Sequence, residues 1–366
     1  MAREYALEDL ELYLLSVIED RRQGLVASGL RAVAAAASWP FAGVAALRRS
    51  LYLHNRLKRR RAPLPVISVG NLVMGGAGKT PFSSYLLKGL ARQGRQVAVI
   101  ARGYRSGKSD AVNDELVMLG RQVPDALTLA TPNRLAGCRK AAELGAEVAV
   151  LDDGFQHIPL RRDLDILLLD ATKPFGNGRL LPRGTLREPP ECAKRAHVAV
   201  LTRTDLASRA QVGELRTWLG RLKREIAVAE SCFRPATLRA VATGSAPAME
   251  PEALSGRRIG AFAGLANPRS FGRLLRDLGA TVVYARRFRD HHRYTGQDLA
   301  DVVEEARAAG AEMLVTTEKD AVKLERLGAP ELPLYYLPIE VEVREGEDEL
   351  WAAVGRAIAR FHSRKS

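Results

Sequence analysis

Lys79 and Thr80 close the run Gly75-Gly76-Ala77-Gly78-Lys79-Thr80, which follows closely on the apolar segment Val66–Val69. Glycines let a backbone wrap phosphate oxygens, a lysine at the end of the loop reaches the β- and γ-phosphates, and the next hydroxyl holds Mg²⁺. The strict spacing asks for another glycine five residues before Gly78, where this chain has Val73, so the loop is a Gly-Gly-X-Gly-Lys-Thr variant. A plain glycine-rich turn is the alternative. A second motif, Val148-Ala149-Val150-Leu151-Asp152-Asp153-Gly154-Phe155-Gln156-His157, delivers two carboxylates at the end of an apolar run. Adjacent carboxylates repel and are costly unless a cation or donors neutralise them. At a strand end beside a phosphate loop, such an Asp holds Mg²⁺ directly or through water. An ordinary acidic turn is the competing reading. Together the motifs imply a site for a nucleotide and its metal.

These residues need a frame. From Val66 onward, short apolar runs (Val66–Val69, Val97–Ile100, Val148–Leu151, Ile166–Leu169 and Val198–Leu201) alternate with amphipathic segments such as Thr80–Gln93 and Asn133–Leu144. Thr131-Pro132 reads as an N-cap followed by proline at the first helical position. Strands apolar on both faces mean a parallel sheet covered by helices on both sides. A second set follows, with strands at Ile259–Phe262, Thr281–Tyr284, Met313–Thr316 and Tyr335–Leu337 and helices near Phe271–Leu278 and Gln297–Ala309. The predicted fold is α/β: a P-loop NTPase-like parallel sheet flanked by helices, a second smaller α/β domain, and an N-terminal membrane-interface helix. The expected divisions are an N-terminal segment at 1–62, a P-loop domain at 63–205 and a second domain at 206–366. A chain of 366 residues suits two domains, at roughly 100–200 residues each.

Charge is unevenly distributed. The net charge is +14, yet residues 21–109 hold 17 Lys and Arg and no acid. Residues 1–20 carry six acids and one base, which argues against a cleavable signal peptide. Residues 32–47 contain no charged residue but are Ala-rich and interrupted by Pro40, a poor candidate for spanning a membrane, which wants about 20 apolar residues. Trp39, Phe41, Val44 and Leu47 are followed by Arg48, Arg49, Arg56, Lys58, Arg59, Arg60 and Arg61. Apolar residues and then a basic cluster fit a helix lying on an anionic membrane; a solvated helix packed on its own domain is the alternative. A nucleic-acid surface finds no zinc-finger or RNP-type motif in support. Three cysteines are too few for a disulfide framework, which points to a reducing compartment.

Several stations, in order, resemble the tetraacyldisaccharide 4′-kinase family of lipid A biosynthesis. They are Val69-Gly70-Asn71-Leu72 through Pro81, Ala101-Arg102-Gly103-Tyr104, Leu151–His157, Leu180–Pro189 with its Leu-Arg-Glu-Pro, Phe262-Ala263-Gly264-Leu265, Asp290-His291, and Thr316–Leu324. The resemblance implies transfer of the γ-phosphate of ATP, with Mg²⁺, to the 4′-hydroxyl of an acylated, anionic disaccharide 1-phosphate. It places the work at the cytoplasmic face of the bacterial inner membrane, in a cleft closed by the second domain. No nucleic acid and no obligate protein partner are expected. Carried over by position, Asp114 and His291 activate the hydroxyl together, with Lys79 and Asp153 in the catalytic set. Gly75, Gly76, Ala77, Gly78, Lys79, Thr80 and Arg187 hold the nucleotide, and Thr80, Glu115, Asp152 and Glu188 serve the metal. Asn113 and Arg289 stand where the family has Gly and Pro. Two other classes share parts of the pattern. A regulatory P-loop GTPase should carry Asn-Lys-X-Asp, of which Thr202-Arg203-Thr204-Asp205 is a degenerate echo. A nucleic-acid-binding ATPase would account for the charge and should bind nucleic acid with steep salt dependence.

Overall fold

The computed structural model describes residues 13–14, 16–102, 114–242, 246–264, 268–289 and 292–364. After a short helical stretch at residues 13–14 and 16–18, helix α1 (Leu25–Leu53) leads to β1 (Val66–Asn71), α2 (Lys79–Arg92), β2 (Val97–Ala101), α3 (Asp114–Gln122) and β3 (Leu127–Ala130). Next come α4 (Arg134–Glu143), β4 (Val148–Asp152), β5 (Leu164–Asp170), β6 (Val198–Thr202), α5 (Arg209–Leu222) and β7 (Ala227–Pro235). The remainder is β8 (Arg239–Ala240), β9 (Arg258–Ala263), α6 (Pro268–Asp277), β10 (Thr281–Arg287), α7 (Gly296–Ala308), β11 (Met313–Thr317), α8 (Glu318–Leu324), β12 (Leu334–Leu337), β13 (Ile339–Glu345) and α9 (Glu347–His362).

The chain forms two compact units, Met1–Phe233 with Val341–Ser366, and Arg234–Glu340. This corrects the expected division at 205/206. β7 continues the first sheet by pairing in parallel with β6, Val198 opposite Ala227, and α9 returns to bury Leu350, Val354 and Ile358 against that sheet. Neither contact leaves a local trace in the sequence around residue 206. The segment 1–62 likewise groups with the first unit rather than standing alone.

The first sheet has eight strands in the order β13-β7-β6-β5-β1-β4-β2-β3, and β3, β2, β4, β1, β5, β6 and β7 pair in parallel. Its central strands are buried along their length because side chains alternate faces. Ile67, Val69, Val148 and Val150 meet Phe82 and Leu86 of α2, whereas Val66, Ala149 and Leu151 meet Leu135 and Cys138 of α4. The second unit repeats the plan on five strands in the order β10-β9-β11-β12-β8, with only β8 antiparallel.

Two local expectations change. The N-cap of α4 is Asn133, whose side chain accepts from Ala136 N at 3.1 Å, while Thr131 Oγ1 accepts from Asn133 N. Asn is as good a cap as Thr, and the extended backbone of Asn133 puts Pro132 before the helix instead of inside it. Pro40 does not interrupt α1, which runs 29 residues through it. By length and composition this helix is sufficient to cross a membrane. Of its residues only Ala27 is buried; Trp39 is 82% exposed and Val44 68%. Ser38 ties the helix to the rest of its unit, donating to Leu180 O at 3.2 Å and accepting from Arg183 N at 3.1 Å.

Candidate active site

Strand β1 leads into the glycine loop, and β4 beside it ends in the acid pair. Their register sets Val69 opposite Asp152. The two turns close on each other because residue 70 is glycine: a Cβ there would lie 2.6 Å from Phe155 Cβ. Gly154 N then donates to Val69 O at 2.9 Å. At the far end of the loop Gly78 adopts φ +81°, a left-handed turn suited to glycine, and α2 begins at Lys79. Asn71 pins the loop from inside, donating to Val73 O at 2.7 Å and accepting from Lys79 Nζ at 3.2 Å. Thr202, at the end of β6, donates to Ala77 O.

The segment before Pro189 runs antiparallel along this loop, with Met74 N donating to Thr185 O and Arg187 N to Leu72 O. That pairing carries Arg187 to the acid pair, where its Nη1 meets both Asp153 oxygens at 2.8 and 2.7 Å. Lys79 Nζ lies 3.9 Å from Asp153. Gln156 completes the corner by donating to Asn71 O.

The two aspartates differ sharply. Asp153 would be pushed up by burial, but Lys79, Arg187 and Arg134 outweigh that and hold it below the usual carboxylate range. Asp152 is buried, accepts from Ser83 Oγ at 3.0 Å, and its pKa is pushed up to about 7. Burial is the main cause, with the charges of Glu115 and Asp153 adding to it against Lys79. Such a carboxylate is poised for a cation. Among the described residues no three of His, Cys, Asp and Glu converge into a cage. Mg²⁺ fits this donor set, since it is commonly held by one or two carboxylates together with phosphates and waters.

The chain also falls into place among known proteins. The profile of the family described as Tetraacyldisaccharide-1-P 4′-kinase matches residues 30–359. The chain belongs to this family. A tetraacyldisaccharide 4′-kinase of Anaeromyxobacter sp. (strain K) is 43% identical over 341 residues, covering 87% of this chain and 89% of that protein. The one from Syntrophus aciditrophicus is 39% identical over 321 residues, covering 81% and 85%. In structure the chain is similar to LpxK from Aquifex aeolicus in complex with ATP, with a TM-score of 0.70, 28% identity, and coverage of 90% of this chain and 99% of that one. The protein is therefore a kinase, and the GTPase and nucleic-acid readings give way to it.

For a tetraacyldisaccharide 4′-kinase, the geometry gathers Gly75, Gly76, Ala77, Gly78, Lys79, Asp152, Asp153 and Arg187 around one strand end. Thr80 follows Lys79 in the first turn of α2. Asp114 and Glu115 open α3, and Glu115 is close enough to Asp152 for its charge to be felt. Glu188 lies elsewhere in the contact pattern: it is buried and paired with Arg195 at 2.5 Å. His291 lies outside the described residues. Its neighbour His292 stacks on Phe288 and bonds Asp298 at 3.2 Å through Nε2.

Sequence reasoning missed Asn71, Ser83 and Arg134 as site residues. Arg134 is 4% exposed at the first position of α4, where burial lowers its proton affinity and Asp153 and Asp152 raise it. An arginine directly after an N-cap, facing the covered side of a helix, was the available signal. Ser83 is four residues past Lys79 on α2, a spacing that keeps it near the same helix face.

Proposed function

We infer that this chain transfers the γ-phosphate of ATP to the 4′-hydroxyl of an acylated glucosamine disaccharide 1-phosphate in lipid A biosynthesis, at the cytoplasmic face of the inner membrane. The observation that carries the reading is the family match over residues 30–359, combined with a glycine loop and an acid pair fastened to each other at one strand end. Lys79 brings a positive charge to the phosphates, and Arg187, braced on Asp153, brings another to the same corner. Mg²⁺, when bound near Asp152 with Thr80 and Glu115, supplies charge neutralisation across the phosphate oxygens. Asp153, held ionised, keeps Lys79 and Arg187 in position. Asp114 and His291 are assigned the proton of the sugar hydroxyl, a weak nucleophile that benefits from a base as bonding to phosphorus begins. Glu188 orients Arg195 and through the Leu-Arg-Glu-Pro run supports Arg187. An exposed apolar helix followed by a basic run suits a protein that draws an anionic lipid substrate from a membrane surface.

The test is direct. Purified protein supplied with γ-labelled ATP and a lipid A disaccharide 1-phosphate precursor should move the label to the lipid. Label that appears only as inorganic phosphate would refute the transferase reading.

A further inference from the structure

The basic residues after α1 do more than coat a surface. Arg60 N donates to Pro159 O and Arg161 N to Arg60 O, both at 2.8 Å, so residues 59–61 are laced to residues 159–161 by backbone pairing. Behind this lacing lies a cavity of about 320 Å³ in the first unit, lined by Arg59, Arg61, Arg161, Arg162, Arg195 and Arg360 among others. That volume is at the small end of the range for small-molecule sites. These residues precede β1, β5 and β6 or end α9, whereas the glycine loop follows β1. Because β1, β5 and β6 run parallel, the cavity opens at the opposite end of these strands, about 20 Å from the loop for a six-residue strand.

The local acids are already committed. Asp165 accepts from Arg162 Nε and Nη2 at 2.9 and 3.0 Å, and Asp163 accepts from Val66 N at 3.0 Å with Arg61 at 3.5 Å. Arg59 Nε and Arg195 Nε and Nη1 are buried without a hydrogen-bond partner among the described residues. Burial, with Arg162 and Arg161 alongside, pulls the proton affinity of Arg59 down. His197 accepts from Asp165 N through Nδ1, which leaves its Nε2 as a donor in the lining. Arg195 is paired with Glu188 on one side, so its Nε and Nη1, together with Arg59 Nε, are the buried donors left over, and such donors are costly unless an acceptor completes them; Arg61, Arg161 and Arg360 face the same space from its exposed rim. Guanidinium forks match phosphate oxygens in geometry as well as charge.

We propose that this arginine-lined cavity is a phosphate-group site separate from the nucleotide loop, filled by the phosphate of an anionic lipid headgroup or by free phosphate. Leu53, the last residue of the apolar helix α1, lies in the lining, so a lipid phosphate would meet the cavity where the helix ends. The site does not depend on the kinase reading, and its test does not use turnover.

The full chain in detergent is titrated with inorganic phosphate by calorimetry, and separately examined by native mass spectrometry with phosphatidylglycerol against phosphatidylcholine. Lys79→Ala, which disables the glycine loop as a competing phosphate site, should still show saturable binding. The double variant Arg59→Gln with Arg161→Gln should bind at least about tenfold more weakly for each guanidinium lost. Retention of phosphatidylglycerol alone identifies a lipid source, and saturable inorganic phosphate binding identifies a free one. Arg161→Gln by itself guards against a folding defect, since that exposed side chain makes no hydrogen bond or ion pair among the described residues. Binding lost in Lys79→Ala but kept in the double variant overturns the proposal. So does full affinity in Arg59→Lys with Arg161→Lys, which would reduce the site to diffuse charge. No binding in either arm overturns it as well.

Discussion

Two aspartates sit at or just after the ends of central strands, one in each unit, and both are buried. Asp320, in the first turn of α8 after β11, is fully satisfied: it accepts from Gly264 N at 2.9 Å and Thr317 Oγ1 at 2.7 Å, and pairs with Lys323 at 3.5 Å. Asp152, at the end of β4, has among the described residues one neutral donor, Ser83, and two like charges, Glu115 and Asp153, offset only in part by Lys79. The first arrangement holds a fold together. The second leaves a carboxylate that only a cation would settle, and that difference, rather than burial, separates a structural acid from a site acid.

The largest expected effect lies with the site's cation. Lys79→Ala should lower label transfer on the order of 10³–10⁵-fold, the range for removing a charge from a transferring phosphoryl group. Its circular dichroism should match the parent, because among the described residues the Lys79 ammonium bonds only Asn71 and pairs with Asp153. Transfer near the parental rate in the folded variant would put the loop outside catalysis.

Next come Asp114→Ala and His291→Ala, each expected to lose kcat by about 10²–10⁴-fold with little change in KM for ATP. If they act on one proton, the double variant loses far less than the product of the two. His292→Ala is the structural counterpart. It should lower the melting temperature through loss of its Asp298 bond and Phe288 stacking, and leave kcat nearly intact. A crippled kcat in His292→Ala with a healthy His291→Ala would shift the assignment by one residue.

Asp320→Ala is the mirror experiment in the second unit. It removes the acceptor of Gly264 N and of the Thr317 hydroxyl, and the carboxylate beside Lys323, in a buried corner, at an expected cost of about 3–5 kcal/mol in denaturant unfolding. A loss below about 1 kcal/mol would mean that Asp320 is no better anchored than a surface pair, and the contrast with Asp152 would collapse.

How much of this was written in the chain depends on how the parts are connected. The glycine loop and the acid pair are consecutive residues on two strands, so their types and order were readable, as was the alternation that makes the sheet parallel. Asn71, Ser83 and Arg134 were not, because each reaches the site only after a strand, a helix face and a cap have been set in space. The unit boundary was hidden for a similar reason. β13 and α9 rejoin the first sheet from the far end of the chain, and long-range edge pairing has no local period. Pro40 misled through a general rule: a proline removes one helical hydrogen bond, but a 29-residue helix has enough others to run through it.

The smallest effect is also the one that sharpens the comparison most. A carboxylate whose folded pKa is about 7, against about 4 in the unfolded chain, carries a proton in the fold across that interval. Stability from this group is therefore full below about pH 4 and is lost as pH rises through 7, then changes no further. In metal-free buffer, Asp152→Asn should remove this part of the pH dependence and melt above the parent at pH 8, since Asn can still accept from Ser83. Mg²⁺ must displace the same proton, so its apparent affinity in the parent should climb about tenfold per pH unit up to 7 and then level off. Isothermal titration of Mg²⁺ with a nonhydrolysable ATP analogue at pH 6, 7 and 8 reads the slope. A flat profile, or an Asp152→Asn variant that melts below the parent at pH 8, would mean the carboxylate is already ionised and compensated. Asp152 would then stand beside Asp320 as a structural acid, and the metal would have to be sought at Glu115 and Thr80.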